Sequence, residues 1–181
     1  MRPRLIILSL VLLATAGSSF LLWKSSPEQI IKAQAHRLFK CLEKTVLGSD
    51  TTSEKADLLG ALITPSFEVQ APYPVNSGSL TRSQAGHSLR EFHDSIMSCK
   101  IHKENARIHF DTDRAGRYQT ELSVEISVGP RRQHHLRYQC LIEFIQSEGE
   151  WLAREISLNP CLLYTSPSPR DATLSRMPSS A

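Results

Sequence analysis

A long run of alternating apolar and polar residues constrains the fold of this chain more than any other feature of its sequence. From Tyr118 to Val128, every second side chain is apolar or threonine, and the residues between them are polar. Because successive side chains of a strand point to opposite faces, this pattern predicts a β-strand with one buried face and one wet face. Similar alternation appears in three other segments: 106–110, 136–144 and 151–158. Between these segments lie turn-forming residues at 111–116, 129–132 and 147–150, so we predict antiparallel strands joined by tight turns.

Helical patterns precede these strands. Behind Pro27, apolar residues recur at helical spacing from Ile31 to Val46, and Gly48 is expected to end this first helix. Two capping boxes then predict further helix starts. They pair Thr51 with Glu54 and Thr81 with Gln84. The second helix is expected to include Leu58, Leu59 and Leu62 and to close at Thr64-Pro65, and the third to place Ala85, Leu89, Phe92 and Ile96 on one face.

A short strand, Phe67–Ala71, is predicted between the second and third helices, and Pro72 stops it before a turn at 76–79. Helices gathered at the start of an antiparallel meander predict an α+β domain over residues 25–160, with its helices packed on one face of the sheet.

The N-terminus predicts a membrane segment in residues 1–24. The apolar run Leu5–Trp23 is about 28 Å long as a helix, close to the thickness of a bilayer core. Arg2 and Arg4 favour a cytoplasmic N-terminus, so we expect an anchored domain on the extracytoplasmic side, which is the periplasm in a bacterium. The alternative is a signal peptide that is cleaved near Ala16 and releases a secreted domain.

The C-terminal segment 161–181 resembles the translation of a transposase-type sequencing adapter. The resemblance rests on Cys161-Leu-Leu-Tyr-Thr-Ser-Pro-Ser-Pro-Arg-Asp171, three variable residues where a sample index belongs, and Ser-Arg-Met-Pro-Ser-Ser-Ala at the end. We interpret this segment as a non-native, disordered tail, and we expect the natural chain to continue differently beyond Pro160.

Charge and cysteine content exclude several classes of function. The formal net charge is +3 and both signs are evenly scattered, which gives no basic face for nucleic acid. Without the tail, three cysteines remain, so no disulfide framework is implied. A single pairing of Cys41 with Cys99 stays possible in an oxidising compartment if their helices lie close.

The order of elements, with a long first helix and a closing strand that contains Trp151, resembles the nuclear transport factor 2-like superfamily, which includes the SnoaL-like and ketosteroid isomerase-like proteins. The resemblance implies a cone-like curved antiparallel sheet with N-terminal helices packed on it and a pocket inside. Relatives of ketosteroid isomerase hold a catalytic Asp just before a Pro at the end of the first strand. Here that position is Ala71, which cannot transfer a proton.

The sequence offers no pair of residues that reads as an acid and base. His134 and Tyr138 share one face of a predicted strand and are the candidates for a pocket site, and Glu68, Tyr73 and Asp111 are further residues within reach of it. The histidine and cysteine spacings match no metal motif, and no phosphate-binding loop is present, so we expect neither metal nor cofactor.

We therefore expect a membrane-anchored, extracytoplasmic binding or scaffold domain without catalytic activity. Its partners are expected to be the membrane through Leu5–Trp23, and either a small apolar ligand in the pocket or a second copy on the sheet face. The alternatives are a cofactor-free dehydratase or isomerase, and a scaffold subunit of a secretion system, because components of such systems share this anchor-and-domain arrangement.

Overall fold

The computed structural model describes residues 26–45, 52–72, 77–130 and 132–161. The helices and strands of these ranges are α1 (Pro27–Leu42), α2 (Thr52–Leu62), β1 (Ile63–Gln70), β2 (Gly78–Thr81), α3 (Arg82–Ser95), β3 (Ser98–Thr112), β4 (Ala115–Gly129), β5 (Arg132–Ser147) and β6 (Glu150–Pro160). Leu5–Trp23, the Thr51 cap and the tail beyond Cys161 lie outside the described residues. Within them, every helix is too short or too polar to cross a membrane.

The six strands form one curved, mixed sheet in the order β2-β1-β6-β5-β4-β3. Neighbouring strands are antiparallel except for β1 and β6, which are parallel. The predicted curved antiparallel sheet is therefore present, with one parallel pair added at β1 and β6. Alternation of side chains reports which face of a strand is buried, and it carries no information about which distant strand will pair with its edge.

The meander from β3 to β6 confirms the predicted order of strands and tight turns. Ser147 pairs with Glu150, which leaves the two-residue turn Glu148-Gly149 between β5 and β6. Both turn residues have positive φ, at 53° and 88°. This is the backbone that matches the twist of a two-residue hairpin, and glycine adopts it without strain.

The inner face of the sheet, defined as the face that carries Tyr118, Leu122 and Ile142, packs against α1. The ring centroids of Phe39 on α1 and Tyr118 on β4 are 6.4 Å apart. A Cβ atom on Gly116 would lie 3.0 Å from Ile31 Cδ1, so glycine is what allows α1 to approach β4 this closely. The largest fully buried apolar side chains of this core are Phe39, Phe144, Ile31, Ile63 and Ile142, each no more than 1% exposed.

Helix α1 ends at Leu42, earlier than the predicted end at Gly48. The backbone of Lys44 instead pairs with that of Cys99 at the start of β3, through N–H···O distances of 2.9 and 2.8 Å. A long-range strand contact thus ends the helix before its apolar pattern does. At the start of α1, Ser26 is the cap and accepts a hydrogen bond from the Gln29 amide.

The capping box predicted for α3 is confirmed. The Thr81 side chain accepts from the Gln84 amide, and the Gln84 side chain accepts from the Thr81 amide at 2.8 Å. Ala85, Leu89 and Ile96 are buried as expected, and Phe92 is half-buried.

Two boundaries near β1 differ from prediction. The strand starts at Ile63 and includes Pro65, because its pairing with β6 shifts register between Ile63 and Glu68 and a proline is tolerated at such an irregularity. Residues 78–81, predicted partly as a turn, form the short edge strand β2.

The predicted burial fails at four apolar positions, of which Phe110, at the end of β3, is 38% exposed. Val128 is 45% exposed and Leu136 37%, because the end of the β4–β5 hairpin extends beyond the described residues that cover the inner face. Leu58 is 42% exposed, whereas Leu59 and Leu62 of the same helix are buried.

The disulfide between Cys41 and Cys99 is not formed in the structure. Cys41, Cys99 and Cys140 are buried free thiols. Burial raises the pKa of the first two to about 11 and that of Cys140 to about 12, so all three act as small apolar side chains.

Candidate functional site

The position that would hold the base of an isomerase contains only a methyl group. Ala71 follows β1, and its backbone is bound by Ser77 from across the adjoining loop. The Ala71 amide donates to Ser77 Oγ at 3.0 Å, and that hydroxyl donates to the Ala71 carbonyl at 2.8 Å. The Ala71 backbone is therefore satisfied by Ser77, and the Ala71 side chain itself cannot transfer a proton.

The candidates His134 and Tyr138 are not brought together. Both lie on the inner face of β5, but four residues along a strand are about 13 Å. His134 is exposed and pairs with Ile126, whereas Tyr138 is half-buried between Leu122 and Pro160. Neither side chain has a hydrogen-bond partner among the described residues.

The other candidates are likewise separate. Glu68 is exposed on β1. Asp111 lies at the end of β3 and forms a bidentate ion pair with Arg117 of β4. The hydrogen bonds from Arg117 hold the pKa of Asp111 below its usual value. Tyr73 lies outside the described residues.

One buried hydroxyl stabilises an irregularity in β3. Thr120, 2% exposed, donates to the Glu104 carbonyl at 2.7 Å, where the β3–β4 register shifts and Asn105 adopts a φ of 54°. Burial raises the pKa of the neighbouring Tyr118. The Thr120 hydroxyl thus has a structural role, since it donates to a main-chain carbonyl at the irregularity of β3.

A second polar cluster joins the ends of α1 and α3. Lys44 Nζ donates to the carbonyls of His93 and Ile96, at 2.5 and 2.8 Å. The ring of His93, 1% exposed, has its Nε2 3.3 Å from the Leu42 carbonyl. Lys44, which follows α1, thus donates to carbonyls at the end of α3, and His93 of α3 donates to the last carbonyl of α1.

A third cluster, formed by Lys103 of β3 and His36 of α1, consists of groups suited to proton transfer. Lys103 Nζ lies 2.7 Å from His36 Nδ1 and 5.6 Å from the centroid of the Phe39 ring. Burial lowers the pKa of Lys103, with Lys40 acting in the same direction and Glu43 against it. Burial and the charges of Lys103 and Lys40 lower the pKa of His36.

The Lys103–His36 cluster was not predicted from the sequence, although one signal was present. Cys99, Ile101 and Lys103 alternate on one face of β3, so a charged residue stands in an apolar series. The partner is 67 residues away in the sequence, and no local pattern indicates that contact. His93 was likewise not predicted as a buried polar residue, although it follows Leu89 at helical spacing on the buried face of α3.

The outer face, defined as the face that carries Arg107, Gln119 and Leu141, is polar and grooved. One groove has a volume of about 400 Å³ and lies between β3, β4 and β5. It is lined by Arg107, Ile108, His109, Arg117, Gln119 and Leu141. A neighbouring groove of about 220 Å³ shares Arg107 and Gln119 with it. Both signs of charge occur on this face, with Arg107 and Arg117 near Glu121 and Glu143.

Within the described ranges, no three His, Cys, Asp or Glu side chains are placed to hold a metal ion.

Solved structures of known proteins share the fold of this chain. No protein-family model and no curated protein matches the sequence. Solved structures do match. A nuclear transport factor 2-like protein from Cytophaga hutchinsonii aligns with a TM-score of 0.57 and 9% identity, over 75% of this chain and 99% of that one. A proposed dehydratase of that family from Streptomyces avermitilis gives 0.61 and 10%, over 76% and 100%.

A proposed scytalone dehydratase from Novosphingobium aromaticivorans aligns with a TM-score of 0.58 and 14% identity, over 81% of this chain and 89% of that one. The chain therefore has the nuclear transport factor 2-like fold, as the resemblance implied. Identities this low establish the fold and leave the chemistry to be argued from the residues.

Proposed function

We propose that this protein is a membrane-anchored, extracytoplasmic domain that binds or organises partners and performs no catalysis. The observation that carries the proposal is the content of the inner face. In enzymes, such a fold needs a cavity with an acid and a base in contact. Here that volume holds apolar side chains, among them Phe39, Phe144 and Ile142, each no more than 1% exposed, and the Lys103–His36 contact between α1 and β3 joins two bases without a carboxylic acid. The proton-transfer candidates His134 and Tyr138 are far apart along β5.

The proposed partner is a second copy of this chain on the outer face. A homodimer needs a self-complementary surface, and this face carries arginines and glutamates on adjacent strands. Leu141, at its centre, is half-buried and lines the 400 Å³ groove, which offers an apolar contact within a polar surround.

The dimer is tested by the mass of the full chain in density-matched detergent, measured by sedimentation equilibrium. We expect a dimer for the natural protein and a monomer for Leu141→Glu, since the substitution replaces the apolar contact of the interface with a charged group that must lose its hydration. Leu58→Glu is the matched control, because Leu58 is exposed on α2 away from the sheet and its variant should stay dimeric. A monomeric natural protein, or a dimeric Leu141→Glu with native circular dichroism, contradicts the proposal.

The anchor is tested separately. If Leu5–Trp23 spans the membrane, the protein stays in the membrane fraction after alkaline carbonate extraction and is digested by protease added to intact spheroplasts or vesicles of the correct orientation. Recovery in the soluble fraction with a new N-terminus near Gly17 would instead indicate a cleaved signal peptide.

A further inference from the structure

The Lys103–His36 cluster differs from the contacts of Lys32, Lys40 and Lys44. Lys32 and Lys40 form ion pairs with Glu28 and Glu43, and Lys44 binds main-chain carbonyls. Lys103 instead has an imidazole nitrogen as its hydrogen-bond partner. A carboxylate partner stabilises an ammonium, whereas a neutral imidazole is a base that can accept its proton.

The surroundings of Lys103 favour loss of that proton. Its side chain is half-buried on the inner face, in register with Leu122, which is 5% exposed. A protonated His36 would place two positive charges 2.7 Å apart, so the cluster holds fewer protons than two separate groups would. His36 itself is exposed, which leaves the amine accessible to a small solute from that side.

We infer that Lys103 Nζ is a nucleophilic amine that forms a reversible imine with small aldehydes, with His36 as the group that carries the proton. Desolvated lysines beside a second basic group are the ones that proteins use for Schiff-base chemistry. The site lies between α1 and β3 on the inner side, away from the outer-face grooves, and does not depend on the proposed dimer.

The reaction balances without any oxidant or reductant. Lys103 ammonium gives a proton to His36 Nδ1, and the free amine attacks the carbonyl carbon as the C=O electron pair moves to oxygen. The oxygen takes the proton from His36, and a second proton follows from the nitrogen by the same path. Oxygen leaves as water, and a protonated imine remains on Lys103, so ammonium plus aldehyde gives iminium plus water.

The inference is tested on the full chain in detergent with propionaldehyde as the probe and cyanoborohydride to trap the imine, at neutral pH. Peptide mapping by mass spectrometry gives the labelling rate of each lysine. We expect Lys103 to be labelled about threefold or more faster than Lys32 and the more exposed Lys100, because a desolvated lysine releases its proton more readily. Equal or slower labelling of Lys103 overturns the inference.

Two variants distinguish proton transfer by His36 from mere accessibility of the Lys103 amine to the aldehyde. His36→Gln retains an acceptor for Lys103 but cannot carry a proton, so labelling at Lys103 should fall to the rate of Lys100. Lys103→Arg retains the positive charge beside Phe39 and should lose the adduct at this position alone. Unfolding of either variant is monitored by circular dichroism. An unchanged rate in folded His36→Gln contradicts the role of His36, independently of whether Lys103→Arg folds.

Discussion

At the scale of single residues, the buried polar side chains are the most consequential, because each must satisfy its hydrogen bonds without water. His93 is 1% exposed and lies against the Leu42 carbonyl. Gln34 on α1 has a buried Oε1 with no hydrogen-bond partner among the described residues. The first residue makes the stability of the domain depend on pH, and the second weakens it at every pH.

Acidification is expected to destabilise the protein through His93. Burial lowers the pKa of His93 below its ordinary value of 6.5; Lys55 and Lys44 act in the same direction, and the hydrogen bond to the Leu42 carbonyl and Asp94 act against it. The unfolded chain then binds a proton more readily than the folded one, so the free energy of unfolding is highest above pH 6.5 and decreases as the pH falls below it. His36, whose pKa is also lowered, adds to this effect.

Urea unfolding on both sides of that pH measures the dependence. His93→Gln should reduce the difference between the two unfolding free energies, whereas His87→Gln, on an exposed part of the same helix, should leave it unchanged. An equally steep pH dependence in folded His93→Gln would show that another group is responsible.

Removal of the unsatisfied amide should stabilise the domain. Gln34→Met keeps the length of the side chain and removes a buried acceptor, so we expect the free energy of unfolding to rise by about 1 kcal/mol. Gln133→Met, at an exposed position of β5, is the control and should change it by less than about 0.5 kcal/mol. A loss of stability in Gln34→Met would mean that its amide has a partner in solution, such as a bound water.

At the scale of elements, helix ends are determined by contacts between segments. The Thr81–Gln84 box is local and could be predicted from the sequence alone. The end of α1 could not, because it depends on backbone pairing between Lys44 and Cys99. The Lys44 side chain then caps α3, where a positive charge also favours the helix dipole.

Lys44→Met should therefore destabilise the domain by about 1–2 kcal/mol, because two carbonyls at the end of α3 lose their charged donor. Lys40→Met removes a lysine whose side chain is 59% exposed and ion-paired with Glu43, and should cost less than about 0.5 kcal/mol. Equal unfolding midpoints for the two variants in urea would show that the Lys44 contacts contribute nothing measurable.

At the scale of the whole molecule, the sheet order places β5 and β6 at the centre and β2 and β3 at the edges. Strong alternation made the meander from β3 to β6 predictable. The four-residue strand β2 and the parallel pairing of β1 with β6 were not, because the first is short and polar and the second joins distant segments. For the same reason, the contact of Lys103 with His36 had no signature in the sequence.

Amide hydrogen exchange should reflect this arrangement. We expect the slowest exchange at Cys140–Phe144 in the middle of β5, which is paired on both sides and buried on the inner face, and fast exchange in Gly78–Thr81 of the edge strand β2. Protection of β2 equal to that of β5 in the natural protein would contradict this order of local stability.

The parallel pairing of β1 with β6 also determines when the chain can complete its fold. β1 ends at Gln70, but the strand that covers its edge begins only at Glu150. Until that late segment has been synthesised and, for an exported domain, has crossed the membrane, Ile63 and Phe67 have no β6 to pack beside. Pairing β1 with β6 closes the loop formed by the intervening chain, which is slow, and the partly folded intermediate exposes the edge of β1. Chains that end before the last strand would therefore leave the edge of β1 unpaired, and such an edge favours aggregation and proteolysis.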